Sequence, residues 1–275
     1  MARSKSGSRR SSASSSPIYA GTAAGGSPGA RTVATTAFRI ELDGGHYLVG
    51  DERQGARPNY VFLHGLASVR AGEKSASLLA HAAARGQGFV RFDMRGHGES
   101  SGQLGQVSVS ELIDDAERVL ARSGPANVIG SSLGGLVAAH LAARRPDLVR
   151  RLALLAPAFG LMPHIREHID ANDYMHTSEG PSFHVEPHVI EDAERLDERG
   201  LPQRLQVPTL LVHGTDDDII PPQTSERFFA AMPYPNKQLW LVPGGDHRLN
   251  TVADEIWQRI DALPTDGPQA GGGPA

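Results

Sequence analysis

The sequence predicts an α/β protein built on a mostly parallel, doubly wound sheet that is led by an antiparallel hairpin. Three observations carry the prediction. Short β-type runs alternate with longer helix-type segments between residues 35 and 263. Most of those runs are apolar on successive residues, the pattern of strands buried on both faces of a parallel sheet. The first two runs instead flank a Gly-rich turn, the mark of a hairpin.

Taken in order, "TAFRIEL" and "HYLVG" lie either side of Asp43-Gly44-Gly45 and form the predicted hairpin. The core strands are "YVFLH" (60–64), "FVRFD" (89–93), "NVIG" (127–130), "RLALLAP" (151–157), "TLLVH" (209–213) and "QLWLV" (238–242). Between them, "SVSELIDDAERVLARSG" has Ser108 and Glu111 at capping-box spacing, an apolar stripe from Leu112 to Leu120, and Gly124 as its stop. "LGGLVAAHLAARRPD" is a second helix, ended by Pro146, and "PQTSERFFAAMP" and "TVADEIWQRIDAL" supply two more. Residues from about 159 to 200 break the rhythm and show no clear strand, which predicts a small cap over one end of the sheet.

Composition narrows the function. The chain has 275 residues, 39% hydrophobic and 21% charged, enough for one large globular domain. A net charge of -4 argues against nucleic acid as a partner, and the absence of cysteine removes disulfides, thiolate metal sites and a thiol nucleophile. Ser123 to Ala143 carries no charged residue, but its proline, asparagine and glycines suit a strand, turn and helix rather than a membrane span. Residues 1–34 are rich in Ser, Ala, Gly and Arg, without an acid before Glu41. They read either as a disordered tail or as an organelle transit peptide, mitochondrial or chloroplast; without a transit peptide the expectation is cytoplasmic. Residues 264–275 read as a flexible tail.

The chemistry gathers around "GSSLGG". Gly130-Ser131-Ser132-Leu133-Gly134 satisfies G-x-S-x-G about Ser132, whereas Ser131 at the centre would need glycines where Ile129 and Leu133 stand. The motif follows a strand and opens a helix, the context of a nucleophile elbow. Such a turn exposes the Ser132 hydroxyl and aims the Leu133 amide at a developing oxyanion. A serine hydroxyl needs a base with an acid behind it. "LLVHGTDDDIIPP" offers Asp216, Asp217 and Asp218, and both the Gly-x-x-Asp and Asp-x-x-Ile-Pro spacings select Asp217. "VPGGDHRLN" places His247 in a loop after the last strand, completing the chain order Ser, Asp, His. The second oxyanion donor is expected in "HGLAS" (64–68), at Leu66, with Ala67 as its competitor. His64, Asp93, Arg95 and Gly96 are read as architecture, and His97 as non-catalytic.

The motifs "HGLAS", "FDMRGHGES", "GSSLGG", "HGTDDDIIP" and "GGDHRL", in this order, resemble the α/β-hydrolase superfamily over residues 35–263. Within it, "VRFDMRGHGESSG", "GTDDDIIP", "DHRL", Gly65-x-x-Ser68 and Gly72-x-Lys74 are similar to the mitochondrial acyl-protein thioesterases and acyl-glucuronide esterases and to related bacterial serine hydrolases. The resemblance implies no metal or organic cofactor. Of the cap histidines His164, His168, His176, His184 and His188, the first two stand at i,i+4 spacing, but no H-E-x-x-H appears and no carboxylates are arranged as obvious ligands, so the set is read as solvated or lid-packing.

Together these features predict a serine hydrolase of esters or acyl thioesters, acting through Ser132, His247 and Asp217. Phe159, Met162, Met175 and Phe183 of the cap are the expected acyl-binding residues, for a small-molecule or acylated substrate. A peptidase or amide hydrolase on the same triad, and a non-catalytic binding protein of this fold, stand as alternatives.

Overall fold

The computed structural model describes residues 33–177 and 181–264. The N-terminal segment read as a tail or transit peptide, and the C-terminal tail, lie outside the described residues but for their innermost ends. Strands β1 (Thr36–Glu41) and β2 (Tyr47–Arg53) form the predicted hairpin. They are followed by β3 (Ala56–Leu63), β4 (Gln87–Phe92), β5 (Ala126–Ser131) and β6 (Val149–Leu155). The cap carries two-residue strands β7 (Tyr174–Met175) and β8 (Phe183–His184), and β9 (Thr209–Gly214) and β10 (Lys237–Val242) complete the sheet. The eight-stranded sheet runs β1-β2-β4-β3-β5-β6-β9-β10. From β4 to β10 every pair is parallel, while β2 is antiparallel to β4.

Alternate strand residues feed two cores. Val61, Leu63, Val128, Leu152, Leu154 and Leu211 face α2 (Val109–Ser123) and α3 (Leu133–Arg144). Their neighbours Phe62, Ile129, Ala153, Leu155, Leu210 and Val212 join the core of the opposite face, with α1 (Glu73–Ala84) and α7 (Ala253–Ala262). A strand apolar on both faces has no polar alternation to show, which is why the sequence runs read as they do. The capping box is present: Ser108 Oγ accepts from the Glu111 amide at 3.3 Å and Glu111 Oε2 accepts from the Ser108 amide at 2.9 Å.

The structure adds three things to the sequence reading. Helix α1 goes unnamed there because its alanines blur the contrast between its buried and exposed faces. Strand β3 begins at Ala56, four residues before the apolar run, through Arg57-Pro58-Asn59, where polar residues and a proline mask a strand. The cap, expected to lack a strand, holds the β7/β8 ladder as well as α4 (Pro187–Arg195) and α5 (Leu201–Arg204). Two pairs of residues are too few to display any period.

Because the six core strands are parallel, the loops after β3, β4, β5, β6, β9 and β10 all emerge at one edge. Strand order reverses between β4 and β5 around β3, and crevices in open α/β sheets form outside such switch points.

Candidate active site

Ser132 stands between β5 and α3 with φ 54° and ψ -119°, a conformation that L-residues rarely adopt and that the surroundings must hold. They do so through the backbone: Ser132 N–H donates to Leu155 O at 2.9 Å, and Ser132 O accepts from the Ala158 amide at 3.1 Å. The glycines are required by close approach. A Cβ on Gly130 would lie 2.2 Å from Gly134 O, and one on Gly134 would lie 2.4 Å from the carbonyls of Leu63 and His64. Ser131 ends β5 buried and lines one of two adjoining cavities, whereas Ser132 is half-buried and lines both.

The acid and base come from loops that are stitched to each other. Thr215 N–H donates to Val242 O at 3.0 Å and Asp216 N–H to Gly245 O at 2.9 Å, so the turns after β9 and β10 share one backbone frame. Asp217 Oδ2 accepts from His247 Nδ1 at 2.7 Å. Asp217 Oδ1 accepts from the amides of Ile219 and Ile220 at 2.9 and 2.8 Å. A third partner was not anticipated from the sequence: His213 Nε2, in β9, lies 3.0 Å from Asp217 Oδ2. Its only sequence signal is a histidine at the end of an apolar strand, four residues before the acid. Burial pushes the Asp217 carboxyl up, but hydrogen bonds from His213, His247 and the Ile220 amide outweigh it and hold the group well below the usual carboxylate range. Asp216 and Asp218 are exposed.

The loop after β3 brings Leu66 to the same place. A Cβ on Gly65 would sit 3.2 Å from Ser132 Cβ, so the "HGLAS" backbone passes directly over the serine. Leu66 lines both cavities with Ser132, and Leu133, as the first residue of α3, has an amide without an intrahelical acceptor. His64 secures the loop: Nε2 accepts from the Met94 amide at 3.0 Å, which leaves Nδ1 to donate to Gly65 O at 2.8 Å. Burial pushes His64 down to about 3, so it is neutral and structural. Arg70 clamps the far end, donating its amide to Asp93 Oδ1 at 2.7 Å and pairing its guanidinium with Asp51, Asp93 and Glu99. Asp93 is thus architecture, as is Arg95, which grips Asp115 bidentately at 2.8 and 2.9 Å. His97 packs edge-on against His64 and lines neither cavity.

The two cavities differ in chemistry. One, of about 470 Å³, lies under the cap and is lined by Leu112, Met162, Ile165, Met175, Phe183 and Ile219 among others. The second, of about 300 Å³, opens between the β3 and β10 loops and is lined by Ser68, Glu73, Lys74, Arg248 and Asn250. Both include Ser132 and His247. Of the four cap residues expected to bind an acyl group, Met162, Met175 and Phe183 line the larger cavity, and Phe159 does not. The Phe159 ring instead stacks on Phe228 of α6 (Gln223–Ala231) at 3.9 Å and 7°, fastening the start of the cap to the sheet domain. That contact is remote in sequence, so apolar character alone did not separate it from its neighbours. The cap histidines pair locally, His164 with Glu167 and His176 with Asp170 and Ser182, while His168 lines the cavity. No group of three metal-ligating side chains is assembled among the described residues.

The chain has the α/β-hydrolase fold. A family model described as alpha/beta hydrolase fold matches residues 59–178, and one described as serine aminopeptidase matches residues 162–251. The chain is similar to mouse palmitoyl-protein thioesterase ABHD10, mitochondrial, at 29% identity over 216 residues, covering 73% of this chain and 72% of that protein. It is also similar to the pimeloyl-acyl-carrier-protein methyl ester esterase of Neisseria meningitidis serogroup B, at 31% identity over 175 residues, 49% of this chain and 66% of the other. Among solved structures, mouse alpha/beta hydrolase domain-containing protein 10 superimposes with a TM-score of 0.72 at 26% identity, over 82% of this chain and 98% of that one. In the described residues no helix is long and apolar enough to cross a membrane, and the uncharged run at 123–143 is accounted for by β5 and α3.

Proposed function

We propose that this α/β-hydrolase is a serine hydrolase that cleaves carboxylic esters or acyl thioesters with a mainly apolar acyl group. Its class, an ester-acting hydrolase, is that of the thioesterase and methyl ester esterase relatives. The observation that carries the finer reading is that Ser132 and His247 line one apolar cavity while His247 Nδ1 is held on Asp217 at 2.7 Å. With its Nδ1 proton on Asp217, His247 presents the Nε2 lone pair as base. Ser132 Oγ attacks the carbonyl carbon and gives its proton to Nε2, while the Leu66 and Leu133 amides stabilise the oxyanion. The imidazolium then protonates the departing alkoxide or thiolate, leaving an acyl-serine. Water, deprotonated by the same nitrogen, releases the acid and restores Ser132. In this reading Met162, Met175 and Phe183 hold the acyl chain, and the polar cavity takes the leaving group.

The experiment is labelling with a fluorophosphonate probe, followed by turnover of matched esters, thioesters and aminoacyl amides. Labelling at Ser132 with ester or thioester turnover is the expected result, and an unlabelled, inactive chain would overturn it. A second reading, an amide or peptide hydrolase on the same triad, is favoured by the match of residues 162–251 to the serine aminopeptidase model; preference for the aminoacyl amides would select it. The relatives named as mitochondrial support reading residues 1–34 as a transit peptide. A reporter fused to those residues that stays in the cytosol of a eukaryotic cell would end that reading.

A further inference from the structure

His213 is fully buried in β9 and takes no part in the acylation steps above. Both of its ring nitrogens are nevertheless committed. Nε2 lies 3.0 Å from Asp217 Oδ2 and 3.0 Å from Ile220 O, while Nδ1 lies 2.7 Å from Ser225 Oγ of α6. A carboxylate and a carbonyl can only accept, so Nε2 carries a proton and donates, while Nδ1 pairs with the Ser225 hydroxyl. Asp217 Oδ2 consequently receives two imidazole N–H groups, from His247 at 2.7 Å and from His213 at 3.0 Å.

We infer that His213 is a positioning residue for the Ser132 reaction: braced by Ser225, it orients the Asp217 carboxylate and moderates its pull on the His247 proton. This rests on the Ser132–His247–Asp217 reading proposed above. Without His213, the carboxylate is held only by the amides on Oδ1 and by His247 itself, so its orientation is less strictly fixed. Its charge is also no longer shared with a second donor, so it binds the His247 Nδ1–H more tightly and stabilises the imidazolium. The first effect lowers turnover. The second makes His247 harder to deprotonate, which moves the acid limb of kcat/KM to higher pH. A residue that merely fills the core changes the amount of folded enzyme but not the position of that limb. Among the described residues, the titratable side chains hydrogen-bonded to Asp217 are these two imidazoles, and its other partners are backbone amides.

The test compares His213→Leu, His213→Gln and Ser225→Ala with the parent chain on its best ester. Rates are taken per fluorophosphonate-labelled enzyme at saturation, so unfolded protein does not count. Leucine removes both polar contacts at similar size. Glutamine places an N–H as many bonds from Cβ as Nε2 is, and so keeps the donor to Asp217. We expect His213→Leu to lose about ten- to a hundredfold in kcat, the worth of one hydrogen bond to a charged group, with KM nearly unchanged. Its acid limb should move up by about half a pH unit or more. The glutamine variant should return to within about fivefold, with the limb at the parent position, and Ser225→Ala should show a smaller loss with a shift in the same direction. If His213→Leu fails to fold, the other two variants decide. The inference is overturned if His213→Leu, or Ser225→Ala where the leucine variant does not fold, turns over at the parent rate per labelled enzyme or loses rate with the limb unmoved. A parent that neither labels nor hydrolyses the panel overturns the triad reading itself, and this inference with it.

Discussion

The carboxyl edge of the sheet and the cap above it are built in opposite ways. At the edge each candidate catalytic group is fixed from several directions: Ser132 by backbone bonds to Leu155 and Ala158, Asp217 by two amides and two imidazoles. Its ion pairs are drawn inward, as in Arg70 with Asp93, whose side chain is 1% exposed. The cap is assembled from a two-rung ladder and short helical turns, and its ion pairs are exposed, as in Arg166 with Glu194 at 61% and 39%. Its buried residues Met162, Ile165 and Met175 turn inward to the cavity. The difference teaches that rigidity here is placed where atoms must meet within a fraction of an ångström. In the proposed reading, adaptability is placed where a flexible acyl chain is to be held.

The comparison breaks most decisively at the elbow. Ser132→Ala should lose on the order of 10⁴-fold or more in turnover together with all probe labelling. Ser131→Ala, one residue away but outside the turn, should stay within about tenfold of the parent. Labelling that persists in the Ser132 variant would remove Ser132 as nucleophile.

Next in size is the acid. Asp217→Asn should cost about 10⁴ in turnover, because an amide in place of the acceptor favours the wrong imidazole tautomer, whereas Asp216→Asn and Asp218→Asn should do little. The pH profile has a definite sign. The Asp217 carboxyl is held below the usual carboxylate range, so it stays ionised across the working range. The proposed general base must be free of its second proton to act, so activity is expected to fall as pH drops. A limb with a two-proton slope would show a second group titrating with it.

Stability should divide along the same line. Arg70→Ala leaves the Asp93 carboxylate buried without its cation and should cost about 3 kcal/mol, read as a drop in Tm of several degrees. Arg166→Ala in the cap, whose partner is open to water, should leave Tm nearly unchanged. Equal losses would mean that the cap is as tightly built as the edge.

The smallest expected effect concerns chain length. Each buried methylene is worth roughly 0.8 kcal/mol, so medium-chain p-nitrophenyl esters should exceed acetate by at least about tenfold in kcat/KM. Met175→Trp should shorten the preferred chain by filling the cavity. Phe159→Leu, which touches Phe228 and not the cavity, should lower Tm without moving the preference. A flat series, or acetate best, would show that the cap closes the cavity rather than serving it.

By itself the sequence determined the parts whose physics is local. Apolar runs buried on both faces declared a parallel sheet, Ser108 and Glu111 declared a helix start, and Gly130 and Gly134 declared a turn so tight that any side chain there would collide with backbone. Asp217 was separable from its two neighbours because its spacing to Gly214 and to the Ile-Pro pair belongs to one loop. Tertiary structure alone decided what depends on neighbours far apart in the chain. Phe159 leaves the cavity because Phe228, 69 residues later, offers a stacking face. The brace from Ser225 through His213 to Asp217 crosses between separate elements. The division of the crevice at Ser132 into an apolar and a polar half likewise comes from loops that only the assembled sheet brings together. A pattern along the chain records what each segment must bury, and not which distant segment will bury it.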